Sequence, residues 1–367
     1  MRIEKVEIEL LRLPLPRAMM SGSSSGAKGG PVTHINMPVV VITTDEGIRG
    51  LGYAWSLLGG ATATKRVLQD DFAPLLLGQD PLDHERLWRQ LYRRLQSVGR
   101  HGLVIQAQAA IDLALWDIKG KAANMPVYKL LGGARERAPL YGSDGGWLYM
   151  SVSEMVSEFE AYLEQGMAGI KMKVGHDDPR VDIERVRQVR AALGDEAWIA
   201  VDANQKWDYP TALRVGRELE QLGIAWFEEP LLCEDIPGHA RLAADLDIPV
   251  ALGETLGSRF EFAAYLRADA VDIIQPDVIR VGGLTETLKI IALADAAQRP
   301  IAPHHMMEVS IHVACGVMHA GLIEYMPWIA AAFAQPAIIE DGHMLPPPKP
   351  GLGLELAEDV VARHRVE

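Results

Sequence analysis

Trp198-Ile199-Ala200-Val201-Asp202, Ala225-Trp226-Phe227-Glu228-Glu229 and Val250-Ala251-Leu252-Gly253-Glu254 are three short apolar runs that end on carboxylates. Asp202, Glu228 and Glu254 fall at equal intervals: 228 − 202 = 26 and 254 − 228 = 26. Apolar runs of this length read as buried strands, and the stretch between two of them holds one helix. The interval is therefore one strand-plus-helix unit, repeated.

The same rhythm extends in both directions. Further apolar runs occupy 139–142, 169–174, 271–276, 300–303 and 322–326, which brings the number of strands to eight. Eight parallel strands alternating with helices close a barrel, and a barrel takes roughly 250 residues. An open doubly wound sheet would need a glycine-rich phosphate turn after its first strand, and none is present. The chain has 367 residues, so a second, smaller unit remains.

That unit comes first. Ile3 to Leu13 alternates, and Pro38 to Thr44 is a second β run closed by Asp45-Glu46-Gly47. Apolar residues then recur at helical spacing through Val104, Ala107, Ile111, Leu115 and Ile118, and Gly132-Gly133 ends the block. The expected division is an α+β unit over 1–132, a barrel over 133–335, and a tail over 336–367 that returns to the first unit. Ser21 to Gly30 is rich in Ser and Gly and reads either as a surface loop or as a glycine-hinged lid.

Composition narrows the function. The net charge of −13 is spread along the chain, which argues against a nucleic-acid or anionic-membrane surface. No apolar stretch of about 20 residues is present to span a bilayer, and the charge-laced N-terminus is not a signal peptide. Cys233 and Cys315 read as reduced thiols. A cytoplasmic enzyme acting on a small molecule is the expectation.

In a barrel, catalytic groups sit at the C-terminal ends of the strands. Here those ends carry Lys171 and Lys173, Asp202 with Asn204, Glu228, Glu254, Asp277, His304 and His305, and Glu324. A single carboxylate at such a place is commonly a helix N-cap. Seven strand ends in register converge on one cavity instead, and uncompensated buried charge costs several kcal/mol per ion. Three hard oxygen donors without Cys or His suit one Mg2+. Lys171 and Lys173 are two apart on a strand and share its inward face. Their mutual repulsion and burial are expected to lower the pKa of at least one, making it a general base. Asp277 and His304 end adjacent strands, an arrangement that orients an imidazole for proton transfer. His305 is the rival, since strand alternation does not separate neighbours at a strand end.

Together with Ala109 to Asp117, Gly169 to Gly175, Val201 to Gln205 and Phe227 to Pro230, these residues resemble the mandelate racemase subgroup of the enolase superfamily. The resemblance implies a modified TIM barrel, (β/α)7β, with an α+β capping domain. It implies Asp202, Glu228 and Glu254 as Mg2+ ligands and Lys173 as the base on one face. Lys171 would be the cation beside the substrate carboxylate, and His304 paired with Asp277 the acid/base on the opposite face. Glu324 would hydrogen-bond that carboxylate and Asn204 would contact substrate. The implied chemistry is removal of the proton α to a carboxylate through an enediolate, by a homo-oligomer of two to eight subunits. A Lys or His base with Mg2+ is a stated property of this superfamily.

Ser97 to Gly102, Asp144 to Trp147 and Pro303 to Val309 are similar to sugar-diacid dehydratases of the talarate/galactarate kind. Dehydration to a 2-keto-3-deoxy acid is the first expectation. Racemisation or epimerisation of a 2-hydroxy acid is the alternative, and a non-catalytic acid-sugar binding protein the third reading. One departure stands out. Those dehydratases carry a basic pair in the capping loop after Gly52-Tyr53, where this chain has Leu57-Leu58. With Met19, Met20, Trp55 and Trp147, these leucines read either as interdomain packing or as the lining of a more apolar distal pocket, which would favour a less polar monoacid or a racemase role.

Overall fold

The structure, a computed structural model, describes residues 1–19 and 31–366. Met20 and the 21–30 segment lie outside the described residues.

Three antiparallel strands open the chain: β1 (Ile3–Met19), β2 (Val32–Thr44) and β3 (Arg49–Tyr53), in that order. β1 and β2 pair from Ile3 opposite Thr44 to Met19 opposite Val32. The 20-residue helix Leu103–Ala122 lies against β2 and β3. Its approach is close. A Cβ at Gly50 or Gly52 would sit 2.2 or 1.9 Å from the carbonyl oxygens of Ala114 and Ala110. Only glycine permits that contact.

Six parallel strands follow: β4 (Ala138–Gly142), β5 (Gly169–Lys173), β6 (Ile199–Asp202), β7 (Phe227–Glu228), β8 (Val250–Leu252) and β9 (Ile273–Ile274). β10 (Ile323–Tyr325) pairs in parallel with the far side of β4. The seventh run, read over 300–303, is reduced to Ile301, which bridges to Ile274 on one side and Ala320 on the other. Pro300 and Pro303 have no N–H to donate, so the ladder there cannot extend. The helices that follow β4, β5, β6 and β7 start on good caps. Ser151 forms a capping box, and Asp178, Asp208 and Asp235 each accept a backbone N–H ahead of a proline in the first turn.

Inward residues alternate with outward ones. Tyr141, Ala200, Trp226, Ala251 and Ala302 form one buried cluster inside the ring of strands. Trp226 meets Tyr141 edge-on, with ring centres 5.3 Å apart at 89°. The interior is thus filled by side chains below the site and is not a pore.

Besides a shared hydrophobic core, buried polar contacts hold the two units. Asp112 accepts from the Thr285 backbone N–H (2.9 Å) and hydroxyl (2.6 Å), and Trp116 Nε1 donates to the same hydroxyl (2.9 Å). Trp88 Nε1 donates to the Gly282 carbonyl at 2.8 Å. The C-terminal segment returns as well. Its short strands β11 (Ile338–Glu340) and β12 (His343–Leu345) form a hairpin whose second strand pairs antiparallel with β4. Beyond it, Asp117 accepts from the N–H groups of Leu51 and Leu352, each at 2.8 Å. Arg365 then bridges to Leu11 of β1. Among the described residues no helix is long and apolar enough to cross a membrane. Cys233 and Cys315 are free thiols.

Candidate active site

Strand parity delivers most of the charged groups. Lys171 and Lys173 share one face of β5, while Ile170 and Met172 face the helix layer and are fully buried. Asp202 shares the inward parity of Ala200, and Glu228 that of Trp226. Glu254 breaks the rule, being three residues after inward Ala251. Gly253 has φ +145° between them, a left-handed turn that re-aims the chain at the strand end.

The three carboxylates meet. Asp202, Glu228 and Glu254 each offer an oxygen within 4.8 Å of the others, and all three are buried. Three hard anionic donors at one point fit a small divalent cation better than any neutral guest. Without a dication the lysines compensate them. Lys171 Nζ lies 2.8 and 3.0 Å from the two oxygens of Glu228 and 2.8 Å from Glu324 Oε1. Lys173 Nζ donates to Asp202 Oδ2.

These pairs correct one expectation. Neither lysine has a lowered pKa. Burial alone would depress both, but Glu228 and Glu324 push Lys171 well above the ordinary range, and Asp202 raises Lys173. The repulsion between the two ammonium groups is outweighed by the nearer carboxylates.

Asp277 uses both its oxygens. Oδ1 accepts from the N–H groups of Ile279 (2.7 Å) and Arg280 (3.0 Å), as a cap would. Oδ2 accepts from His304 Nδ1 at 2.9 Å, which leaves Nε2 facing Glu254 Oε2 at 3.2 Å. Burial opposes the imidazolium, yet Glu254 and Asp277 raise His304 to about 9. His305 is placed otherwise. Its ring nitrogens have no hydrogen-bond partner among the described residues, and its ring packs edge-on against Trp55 (5.0 Å) and Trp328 (4.9 Å). Burial lowers it to about 3. The backbone N–H of His305 instead donates to Glu324 Oε2, while Ser143 Oγ donates to Oε1 at 2.6 Å.

Above the charges lies a cavity of about 430 Å³. Lys173, Asn204, Glu254, His304 and Glu324 line it, as do Met19, Trp55 and Trp147. Leu57 and Leu58 of the capping loop form part of its wall with Leu103, Met326 and Trp328. Lys171 is sealed beneath, 2 % exposed, and Asp277 is fully buried behind His304. Non-glycine residues with left-handed φ cluster at the strand ends: Asn204, Gln205, Glu229, His305 and Met306. Such strain concentrates at functional sites.

Several participants escaped the sequence reading. Glu229 accepts from Thr255 Oγ1 (2.6 Å) and Gln205 Nε2 (3.1 Å), and burial with Glu254 nearby raises it to about 8. Gln275 and Trp226 both donate to Glu228 Oε2. Arg280 donates to Glu254. Glu229 follows directly on a candidate ligand, and that adjacency was a usable signal. Arg280 stands three residues after Asp277 in what reads as a solvated helix start.

Comparison with known proteins agrees with this architecture. Residues 29–132 match the mandelate racemase / muconate lactonizing enzyme N-terminal domain, and residues 154–360 the enolase C-terminal domain-like family. The L-talarate/galactarate dehydratase of Salmonella typhimurium is 38% identical over 357 residues, 97% of this chain and 89% of its own length. The 3,6-anhydro-alpha-L-galactonate cycloisomerase of Streptomyces coelicolor is 34% identical, covering 99% of both chains. The crystal structure of L-talarate dehydratase from Polaromonas sp. JS666, complexed with Mg and L-glucarate, superposes with TM-score 0.94 at 40% identity, covering 100% of this chain and 98% of that one. With both halves matched and a conserved course from end to end, the chain belongs to the mandelate racemase / muconate lactonizing enzyme family of the enolase superfamily.

Proposed function

We propose that the protein is a Mg2+-dependent dehydratase of sugar acids, producing a 2-keto-3-deoxy acid. One observation carries the reading: an amine (Lys173) and an aspartate-held imidazole (His304) line one cavity together with Glu254 of the acidic triad. Relatives named as arabinonate and D-galactonate dehydratases support the reaction class.

Asp202, Glu228 and Glu254 would hold the cation. Bound there, Mg2+ supplies positive charge to the substrate carboxylate and its enediolate, and neutralises the carboxylates that otherwise keep Lys173 protonated. Lys173 Nζ takes the proton from the α-carbon, whose electrons pass into the carboxylate. Lys171 and Glu324 fix the floor on which that carboxylate rests, and Asn204 lines the cavity beside it. His304, oriented by Asp277, gives a proton to the β-hydroxyl as the C–O bond breaks, so water departs. The resulting enol then tautomerises to the ketone.

Trp55, Trp147, Leu57 and Leu58 give the far wall an apolar character and favour a monocarboxylate over a diacid. The arrangement also serves a racemase, since two proton carriers serve one carbon. A panel of mono- and diacid sugars with mandelate-like acids, scored for 2-keto acid and for α-deuteration in D2O, separates the readings. Keto acid formation supports dehydration. Deuteration with inversion and no keto acid would establish the racemase, and neither signal would leave only binding.

A further inference from the structure

Arg280 has no part in the chemistry above, yet it grips a candidate metal ligand at two points. Its Nη1 donates to the Glu254 main-chain carbonyl and to Glu254 Oε1, both at 3.0 Å. The backbone N–H of Arg280 is bound to Asp277 Oδ1, so the residue is anchored at its own base. Trp55, from the capping unit, covers the guanidinium, with its ring centre 4.9 Å from the guanidinium carbon. The opposite oxygen of Glu254, Oε2, is the one that meets His304 Nε2 at 3.2 Å.

A carboxylate held at one oxygen and at its own main chain has little rotational freedom left. Charge-assisted hydrogen bonds of this kind are the stronger sort. Groups that orient a metal ligand without touching the metal typically alter affinity by about 10- to 100-fold. We infer that Arg280 is a positioning residue: it holds Glu254 so that Oε2 is presented to the cation, and Trp55 of the capping unit keeps it in place. The inference rests on Glu254 being a metal ligand, as proposed above.

Simple electrostatics predicts the contrary. Removing a positive charge beside a dication site should tighten metal binding. Calorimetric titration of Mg2+ into the full chain without substrate therefore distinguishes the two. Arg280→Gln should bind Mg2+ at least tenfold more weakly than the parent. Arg280→Lys should recover part of the loss, and Trp55→Leu should weaken binding about threefold with Arg280 intact. Equal or tighter binding by Arg280→Gln overturns the inference. Should that variant fail to fold, as read from its melting curve, unchanged affinity in both Arg280→Lys and Trp55→Leu overturns it equally. A parent chain that binds no Mg2+ would instead refute the metal reading itself.

Discussion

Lys171 and Lys173 stand two residues apart on one strand face, yet Lys171 is clasped by Glu228 and Glu324 while Lys173 reaches the cavity wall. One position is structural in character and the other open to substrate. Lys173→Ala should lower α-proton exchange in D2O about a thousandfold, within the usual range for a lost general base. Mass spectrometry of recovered substrate checks it. Retained exchange would remove Lys173 from the mechanism. Lys171→Ala should behave differently. It strands two buried carboxylates and should cost about 3–5 kcal/mol of stability, read from denaturant melts.

His304 titrates at about 9 with Glu254 and Asp277 beside it, above its ordinary value of about 6.5. The metal-free fold therefore gains stability from the imidazolium that is complete below pH about 6.5 and lost as pH rises through about 9. In EDTA-treated protein the His304 ring proton should shift with a midpoint near 9 by NMR. Asp277→Asn should move that midpoint downward. A midpoint near 6.5 in the parent would contradict the pairing.

His312 runs the opposite way. Its Nδ1 accepts the Tyr128 N–H (3.2 Å) and its Nε2 donates to the Leu352 carbonyl (3.0 Å). Burial pushes it down to about 4. Protonation would destroy the acceptor that Tyr128 uses. Its contribution is present above pH about 6.5 and lost as pH falls towards 4, about 3 kcal/mol in total. The stability gap between parent and His312→Asn should shrink over that interval. A constant gap would show that the ring titrates alike in the folded and unfolded chain and is not held neutral by burial.

Leu57 and Leu58 form part of the cavity wall. Monocarboxylate sugars should therefore be turned over in preference to diacids. Leu58→Arg should raise kcat/KM for a diacid at least tenfold relative to the matching monoacid, by supplying a cation. No change in that ratio would place the second end of the substrate elsewhere.

Chelation should abolish turnover, and Mg2+ should restore it. Glu254→Gln should need far more Mg2+ for the same rate. Restoration by zinc alone would contradict a site of three hard oxygens.

Much of this was legible because strand parity is a rigid rule. It placed Lys171 and Lys173 on the inner face from the sequence alone. Asp202, Glu228 and Glu254 were found by the 26-residue interval, and parity alone would have missed Glu254, where Gly253 turns the chain. The seventh strand was overread because Ile301 and Ala302 look like a β run, while Pro300 and Pro303 withhold the N–H groups a ladder needs. The lysine pKa directions were misjudged because repulsion within β5 is visible in sequence and the carboxylates of β6, β7 and β10 are not placed by it. Arg280 was missed for the same reason: its partners, Glu254 and Trp55, come from a different strand and a different unit.

The order of synthesis gives one feature a further meaning. The wall residues Trp55, Leu57 and Leu58 emerge early, but the unit bearing them is fastened by Leu352 to Asp117 and by Arg365 to Leu11. The ties from Trp88, Asp112 and Trp116 to residues 282–285 are available as soon as the ring of strands is made. The final stretch adds the last fastenings, so a chain cut short there would carry the acidic triad beneath a cover held by fewer contacts.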